Sequence, residues 1–220
     1  MGRLTGRLVA WGAVVAFLTI VAYAAYFSRA RPDKNVAYRW DTSILALVQY
    51  GIILGVALLI TRGLDRRQLL GLRRPSSWGR AVGIGLSVFF LVLVTGGIVG
   101  LFGNAEKEQG LIPEHWEASR VAPFVAYAAI VVLVAPIVEE TMFRGVGYGL
   151  LEPFGQTLAI VVVGLTFALI HGLVIGFAVI AVFGTGLAYL RARTGSIYPC
   201  MLLHASFNAF GLAYGIAHGG

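Results

Sequence analysis

Apolar residues run along this chain in blocks separated by short polar breaks, and a helix needs about 20 mainly apolar residues to cross a bilayer. The blocks predict spanning helices at Leu8–Phe27, Ser43–Thr61, Ala81–Phe102, Phe124–Leu150, Gln156–His171, Leu173–Leu190 and Ile197–Ile216. The expected class is all-α: a polytopic transmembrane helix bundle of about seven spans, with six to eight as the range. The range reflects "IHGLVIG", which offers only glycines between the fifth and sixth blocks. Glycine is tolerated inside membrane helices, so the stretch reads either as a tight reversal or as a kink in one long helix. No polar linker divides the 220 residues, which predicts a single membrane-embedded domain over 1–220.

The first block has the look of a signal peptide, since Arg3 and Arg7 precede it and Ala22-Tyr23-Ala24 offers a cleavage site. It is longer than the roughly 7 to 15 residues of a usual signal core, so it reads as a retained span. Basic residues in short loops set the orientation. The second loop carries Arg62, Arg66, Arg67, Arg73, Arg74 and Arg80, whereas the third holds Glu106, Glu108, Glu114 and Glu117 against Lys107 and Arg120. The second loop is therefore expected in the cytoplasm. The N-terminus and the "RARTGS" loop with Arg191 and Arg193 then fall on the same side. The first loop, with Arg29, Arg31, Lys34 and Arg39, disagrees. The reading is an integral multi-pass protein of the cell (inner) membrane with a cytoplasmic N-terminus.

Composition supports the membrane reading: 58% of residues are hydrophobic and 12% charged, where soluble domains carry about a quarter charged. A net charge of +7 invites a nucleic-acid partner. The arginines are spread over short loops rather than gathered in one patch, so no nucleic acid is expected. Cys200 is the only cysteine, which excludes an intrachain disulfide. Oligomeric state is not legible.

Against this background the stretch "VAPIVEETMFRGVGYG" is anomalous. Eight of the ten acidic residues lie in loops or at helix ends, and only Glu139 and Glu140 fall inside a span. An ionisable group at the bilayer centre costs at least about 2.5 kcal/mol, so two in succession require a partner or a cavity. Glu140 and Arg144 stand four apart on one helix face with the acid first, the favoured order for a pair. Glu139 lies about 100° around the axis without an intrahelical cation. Glu140 is thus the expected ion-paired member, and Glu139 the candidate general base.

Of four histidines, His171 and His204 fall within spans, with i,i+4 companions Phe167 and Asn208. His115 lies in the acidic loop and His218 at the C-terminus. At 1.5 Å per residue, Glu139 lies about 16 Å above the cytoplasmic end of its helix, His171 about 22 Å, and His204 and Asn208 about 10 to 17 Å, all mid-bilayer. This agreement requires the fourth helix to continue past Glu139 to Leu150. A bland reading of the set is helix glue, but interhelical hydrogen bonds in membranes average only about 0.6 kcal/mol. The functional alternative is a nonenzymatic immunity or transport protein that uses the cluster as glue or a proton path.

These residues resemble the CPBP family of membrane proteases, which includes CAAX-processing endopeptidases, bacteriocin-processing enzymes and abortive-infection proteins. The family pattern of EExxxR, FxxxH and HxxxN on successive helices reads here as Glu139-Glu140-Thr141-Met142-Phe143-Arg144, Phe167-Ala168-Leu169-Ile170-His171 and His204-Ala205-Ser206-Phe207-Asn208. The resemblance covers about Ala122 to Phe210. It implies an intramembrane endopeptidase whose cavity opens to the cytosol and whose partners are the bilayer and a peptide or protein substrate. Glu139, Glu140, His171, His204 and Asn208 are the implied catalytic set, with Arg144 and Phe167 supporting. By resemblance, Glu139 and His171 activate a water, and His204 and Asn208 stabilise the oxyanion.

Metal dependence stays open at this level. Two histidines and a glutamate could ligate zinc with one position left for water, but the HExxH helix is absent and no span carries both histidines. A metal-free, glutamate-activated water is favoured and zinc is the alternative. No prenyl-binding signature is evident, so a prenylated CAAX protein, a bacteriocin leader or another membrane-associated peptide all remain open as substrate.

Overall fold

The computed structural model describes residues 2–28, 35–103, 108 and 116–218. Arg29, Arg31, Lys34, Glu106, Lys107, Glu114 and His115 lie outside the described residues, as do the side chains of Arg3 and His218. The described residues form helices and turns without a strand: α1 Gly2–Phe27, α2 Trp40–Ile60, the one-turn α3 Arg66–Leu69, α4 Trp78–Gly100, α5 Ala118–Phe154, α6 Gln156–Leu169, α7 Phe177–Thr194 and α8 Tyr198–His218. Five of them, α1, α2, α4, α5 and α8, are long and apolar enough to cross a membrane. With the shorter α6 and α7 these are the seven helices expected, in an all-α membrane bundle.

The fifth and sixth blocks are two helices and not one kinked helix. Gly172 takes φ +62° in the turn between α6 and α7, a left-handed conformation that costs other residues a Cβ clash. The chain reverses there, and α6 and α7 run back along each other. Gly164 and Gly184 permit the contact: a Cβ on Gly164 would meet the Thr185 Cα at 2.6 Å, and one on Gly184 would meet the Gly164 carbonyl oxygen at 2.6 Å. In a bilayer, small residues of this kind let helix backbones approach closely.

Several arginines read from sequence as topology signals also close helix ends. The last carbonyls of a helix lack intrahelical partners and carry a partial negative charge. Arg7 donates to the carbonyls of Ile60 (2.7 Å) and Arg62 (2.8 Å), and Arg66 to that of Leu58 (2.8 Å), at the end of α2. Arg73 donates to Gly195 (2.8 Å), just past α7. The start of α1, the second loop and the end of α7 are thereby tied together at one end of the bundle. The opposite end carries a different clamp, where the Glu108 carboxylate accepts from the backbone N–H groups of Val174 (3.1 Å), Ile175 (2.9 Å) and Gly176 (2.7 Å) just ahead of α7.

Candidate active site

The acids sit on a helix that is not uniform. In α5 a π-helical segment, Ile130–Val134, precedes the α turn Ala135–Glu140, and a second π segment, Thr141–Gly147, follows it. Pro136 accounts for the first, since its ring clashes with the carbonyl four residues back and it has no N–H to give. In π register the N–H five residues on closes each bond, and Ala135 N–H does so to Ile130 O. The next bond in that register, to Val131 O, would need an N–H from Pro136. The side-chain amide of Asn208 on α8 donates to Val131 O instead, at 2.8 Å.

The second π segment is supported in the same way from other helices. Trp11 of α1 donates its indole N–H to Met142 O (3.1 Å), and Arg191 of α7 donates to Arg144 O (3.2 Å). "RGVGYG" makes room for these neighbours: a Cβ on Gly145, Gly147 or Gly149 would lie 2.5 to 2.8 Å from Leu70, Trp11 or the Leu69 carbonyl. The helix continues through Glu139 to Phe154, which meets the condition set by the depth argument.

Arg144 Nη1 donates to Glu140 Oε1 at 2.9 Å, and neither side chain is exposed. Nη2 donates to Gly184 O (2.7 Å), and the guanidinium lies over the Phe167 ring, 4.3 Å from its centroid. Glu140 Oε1 also receives His204 Nδ1 at 2.9 Å, whereas Glu140 Oε2 and Arg144 Nε are buried without a protein partner. Since a carboxylate only accepts, His204 carries its proton on Nδ1. Its Nε2 points toward Glu139 Oε2, 3.8 Å away, too far for a direct hydrogen bond.

Glu139 has a different environment from its neighbour. Its side chain is 14% exposed, and its Oε1 accepts a hydrogen bond from the Tyr50 hydroxyl of α2 at 3.0 Å. The two acids therefore separate as the spacing indicated: Glu140 is dry and ion-paired, and Glu139 is reachable.

His171 lies in the turn after α6, where its Nδ1 meets Phe167 O at 2.7 Å. A carbonyl also only accepts, so Nδ1 holds the proton and Nε2 presents a lone pair. Phe167, 1% exposed, is the shared wall, with its centroid 4.7 Å from the His171 ring and 5.6 Å from the His204 ring.

The structure thus gathers Glu139, Glu140, Arg144, Phe167, His171 and His204 around one point. Asn208 lies one helical turn along α8 from His204, with one of its two amide hydrogens held by Val131 O. Among the described residues, no three His, Cys, Asp or Glu side chains are grouped so as to hold a metal ion. His204 Nδ1 and Glu139 Oε1 are engaged with Glu140 and Tyr50, which leaves the Nε2 atoms of the two histidines and Glu139 Oε2 as the donors a metal would have to use.

Sequence reasoning missed Tyr50, Trp11 and Arg191. The signal for Tyr50 was a phenol inside an apolar span, where an O–H needs a partner.

Residues 121–210 match the family model of the Rce1-like type II CAAX prenyl endopeptidases. The resemblance to the CPBP family is shown over that stretch. It spans the second motif-bearing half of the bundle, from α5 to α8, and contains every motif residue. No curated protein and no solved structure matches the chain. The match supports a membrane peptide hydrolase of the CAAX-protease type in general.

Proposed function

We propose that the protein is a single-domain intramembrane endopeptidase that hydrolyses a peptide bond of a membrane-associated peptide or protein by water activated at Glu139 and His171. The observation that carries this reading is the division of the acids: Glu140 is spent on Arg144 and His204, while Glu139 has no intrahelical cation and stands 3.8 Å from His204 Nε2. A water held between Glu139 Oε2 and His171 Nε2 gives its proton to the carboxylate as its oxygen bonds the scissile carbonyl carbon. The carbonyl electron pair moves to oxygen. His204, with Nδ1–H on Glu140, would donate from Nε2 to that oxyanion when this nitrogen also carries a proton. The second amide hydrogen of Asn208 remains available to assist. One such donor is worth about 10² to 10³ in rate. Collapse breaks the C–N bond, and the proton taken up by Glu139 passes to the departing amine.

No step is routed through a metal. Candidate substrates are a prenylated CAAX-type protein or a bacteriocin-like leader, with the bilayer presenting either one. The proposed orientation, with a cytoplasmic N-terminus in the cell membrane, draws support from the gathering of Arg7, Arg66 and Arg73 at one end of the bundle.

The test is cleavage of prenylated and unprenylated test peptides by the purified protein in vesicles, with Glu139→Gln as the matched control. Glutamine keeps the shape and the acceptor for Tyr50 but cannot take a proton. Loss of cleavage in a variant that melts like wild type supports the reading, and wild-type turnover by Glu139→Gln overturns it.

A further inference from the structure

We infer that Tyr50 is a positioning residue for the reaction, so that α2, outside the family-matched segment, completes the active site. This rests on the endopeptidase reading. Glu139 has two carboxylate oxygens and can rotate about its terminal torsion, which is broad and nearly two-fold. The Tyr50 hydroxyl holds Oε1 at 3.0 Å. With that oxygen fixed, Oε2 is the one left facing His204 Nε2 at 3.8 Å, so that the oxygen which takes the proton is turned toward the proposed oxyanion donor. The Glu140 carboxylate is aimed from its own helix and α8, by Arg144 and His204. Glu139 has no such intrahelical anchor, and its direct hydrogen bond comes from a different helix.

The bond also gives the first helices a function. Outside the matched stretch, α2 packs along α5 through both π segments and the turn between them. Tyr50 is half-buried on that face, where an unpaired O–H would be costly. A phenol donor to a carboxylate is a charge-assisted bond, stronger than a neutral one. Its role here is to select one rotation of the base, and misplacement of a base by about 1 Å can cost about 10²-fold in rate.

The experiment compares wild type, Tyr50→Phe, Glu139→Gln and the double variant in the same detergent, by peptide turnover, thermal unfolding and infrared difference spectra. Tyr50→Phe removes one oxygen and keeps the ring. It is expected to melt close to wild type, to leave KM unchanged and to lower kcat about 10- to 100-fold. Added to Glu139→Gln, it should change turnover no further, because the group it positions is already disabled. The wild type minus Glu139→Gln spectrum isolates the Glu139 carboxyl band, and Tyr50→Phe should shift that band. A failure of wild type to cleave any test peptide would sink the endopeptidase reading, while the band would still report whether Tyr50 holds Glu139. Unchanged kcat in Tyr50→Phe, a rise confined to KM, or an unmoved carboxyl band would each overturn the positioning role.

Discussion

Replacing Arg144 with alanine should unfold this protein more readily than any other single change at the site. Arg144 and Glu140 have no exposure at all. Alanine leaves the Glu140 carboxylate in a dry interior with His204 as its remaining partner. It also leaves Gly184 O without its donor and strips a cation from the Phe167 face. Breaking a buried pair from one side costs about 3 to 5 kcal/mol. At about 2 to 4 °C per kcal/mol for a chain of this size, the melting temperature should fall by about 6 to 20 °C. The assay is thermal unfolding of the purified protein in detergent, with Arg144→Lys alongside. Lysine restores the charge but not the fork that reaches Glu140 and Gly184 together, so it should recover only part of the loss. Removing Glu140 as well should also recover part, since no uncompensated charge is then left behind. An Arg144→Ala protein that melts with wild type yet is inactive would refute the scaffold role and move the guanidinium into the chemistry.

His171→Ala and His204→Ala should each abolish cleavage while leaving a folded protein, since neither imidazole can substitute for the other; near-normal turnover by either would remove that histidine from the site. A strong chelator should leave cleavage unchanged, whereas loss on chelation reversed by added zinc would end the metal-free mechanism. Glu108 lies outside the spans. Burial raises its pKa, but the N–H groups of Gly176, Ile175 and Val174 more than offset this and hold the carboxyl below its ordinary 4.5. Its contribution is therefore present above that pH and lost as pH falls through the depressed folded value. Glu108→Gln should melt below wild type at pH 7, with the gap closing in acid; a gap that persists at pH 3 would contradict the assignment. Asn208→Ala strands the half-buried Val131 carbonyl, which should cost about 1 to 3 kcal/mol of stability in addition to any loss of kcat. A variant that loses turnover alone would confine Asn208 to the oxyanion.

The spans and the motif geometry were legible because both are periodic. Blocks of about 20 apolar residues follow from bilayer thickness, and the i,i+4 spacing put Arg144 on Glu140, where it is found at 2.9 Å. The separation of the two glutamates followed from the same helical period. The reversal between α6 and α7 was not decided by pattern, because glycine serves equally in a kink and in a left-handed turn. Gly172 at φ +62° takes the second role. The arginines of the N-terminus and the second loop show why charge counting is incomplete: Arg7, Arg66 and Arg73 are engaged with carbonyls at helix ends, a use no loop count reveals.

What stayed hidden are the two π segments, and their logic runs through the whole bundle. A proline inside an apolar span announces a defect in hydrogen bonding, but the sequence does not say who fills it. In a bilayer no water is on hand to do so, so every carbonyl freed from α5 must find a donor on another helix. Asn208 of α8 meets Val131, Trp11 of α1 meets Met142, and Arg191 of α7 meets Arg144. These donors lie 131 to 47 positions away in the chain, beyond the reach of any local pattern. They bracket the turn Ala135–Glu140 on both sides, so the orientation of Glu139 is set by contacts from three helices rather than by α5 alone. The helices before residue 121, which carry none of the recognisable motifs, are in this sense part of the site: α1 supports the widened turn and α2 supplies the hydroxyl that meets Glu139.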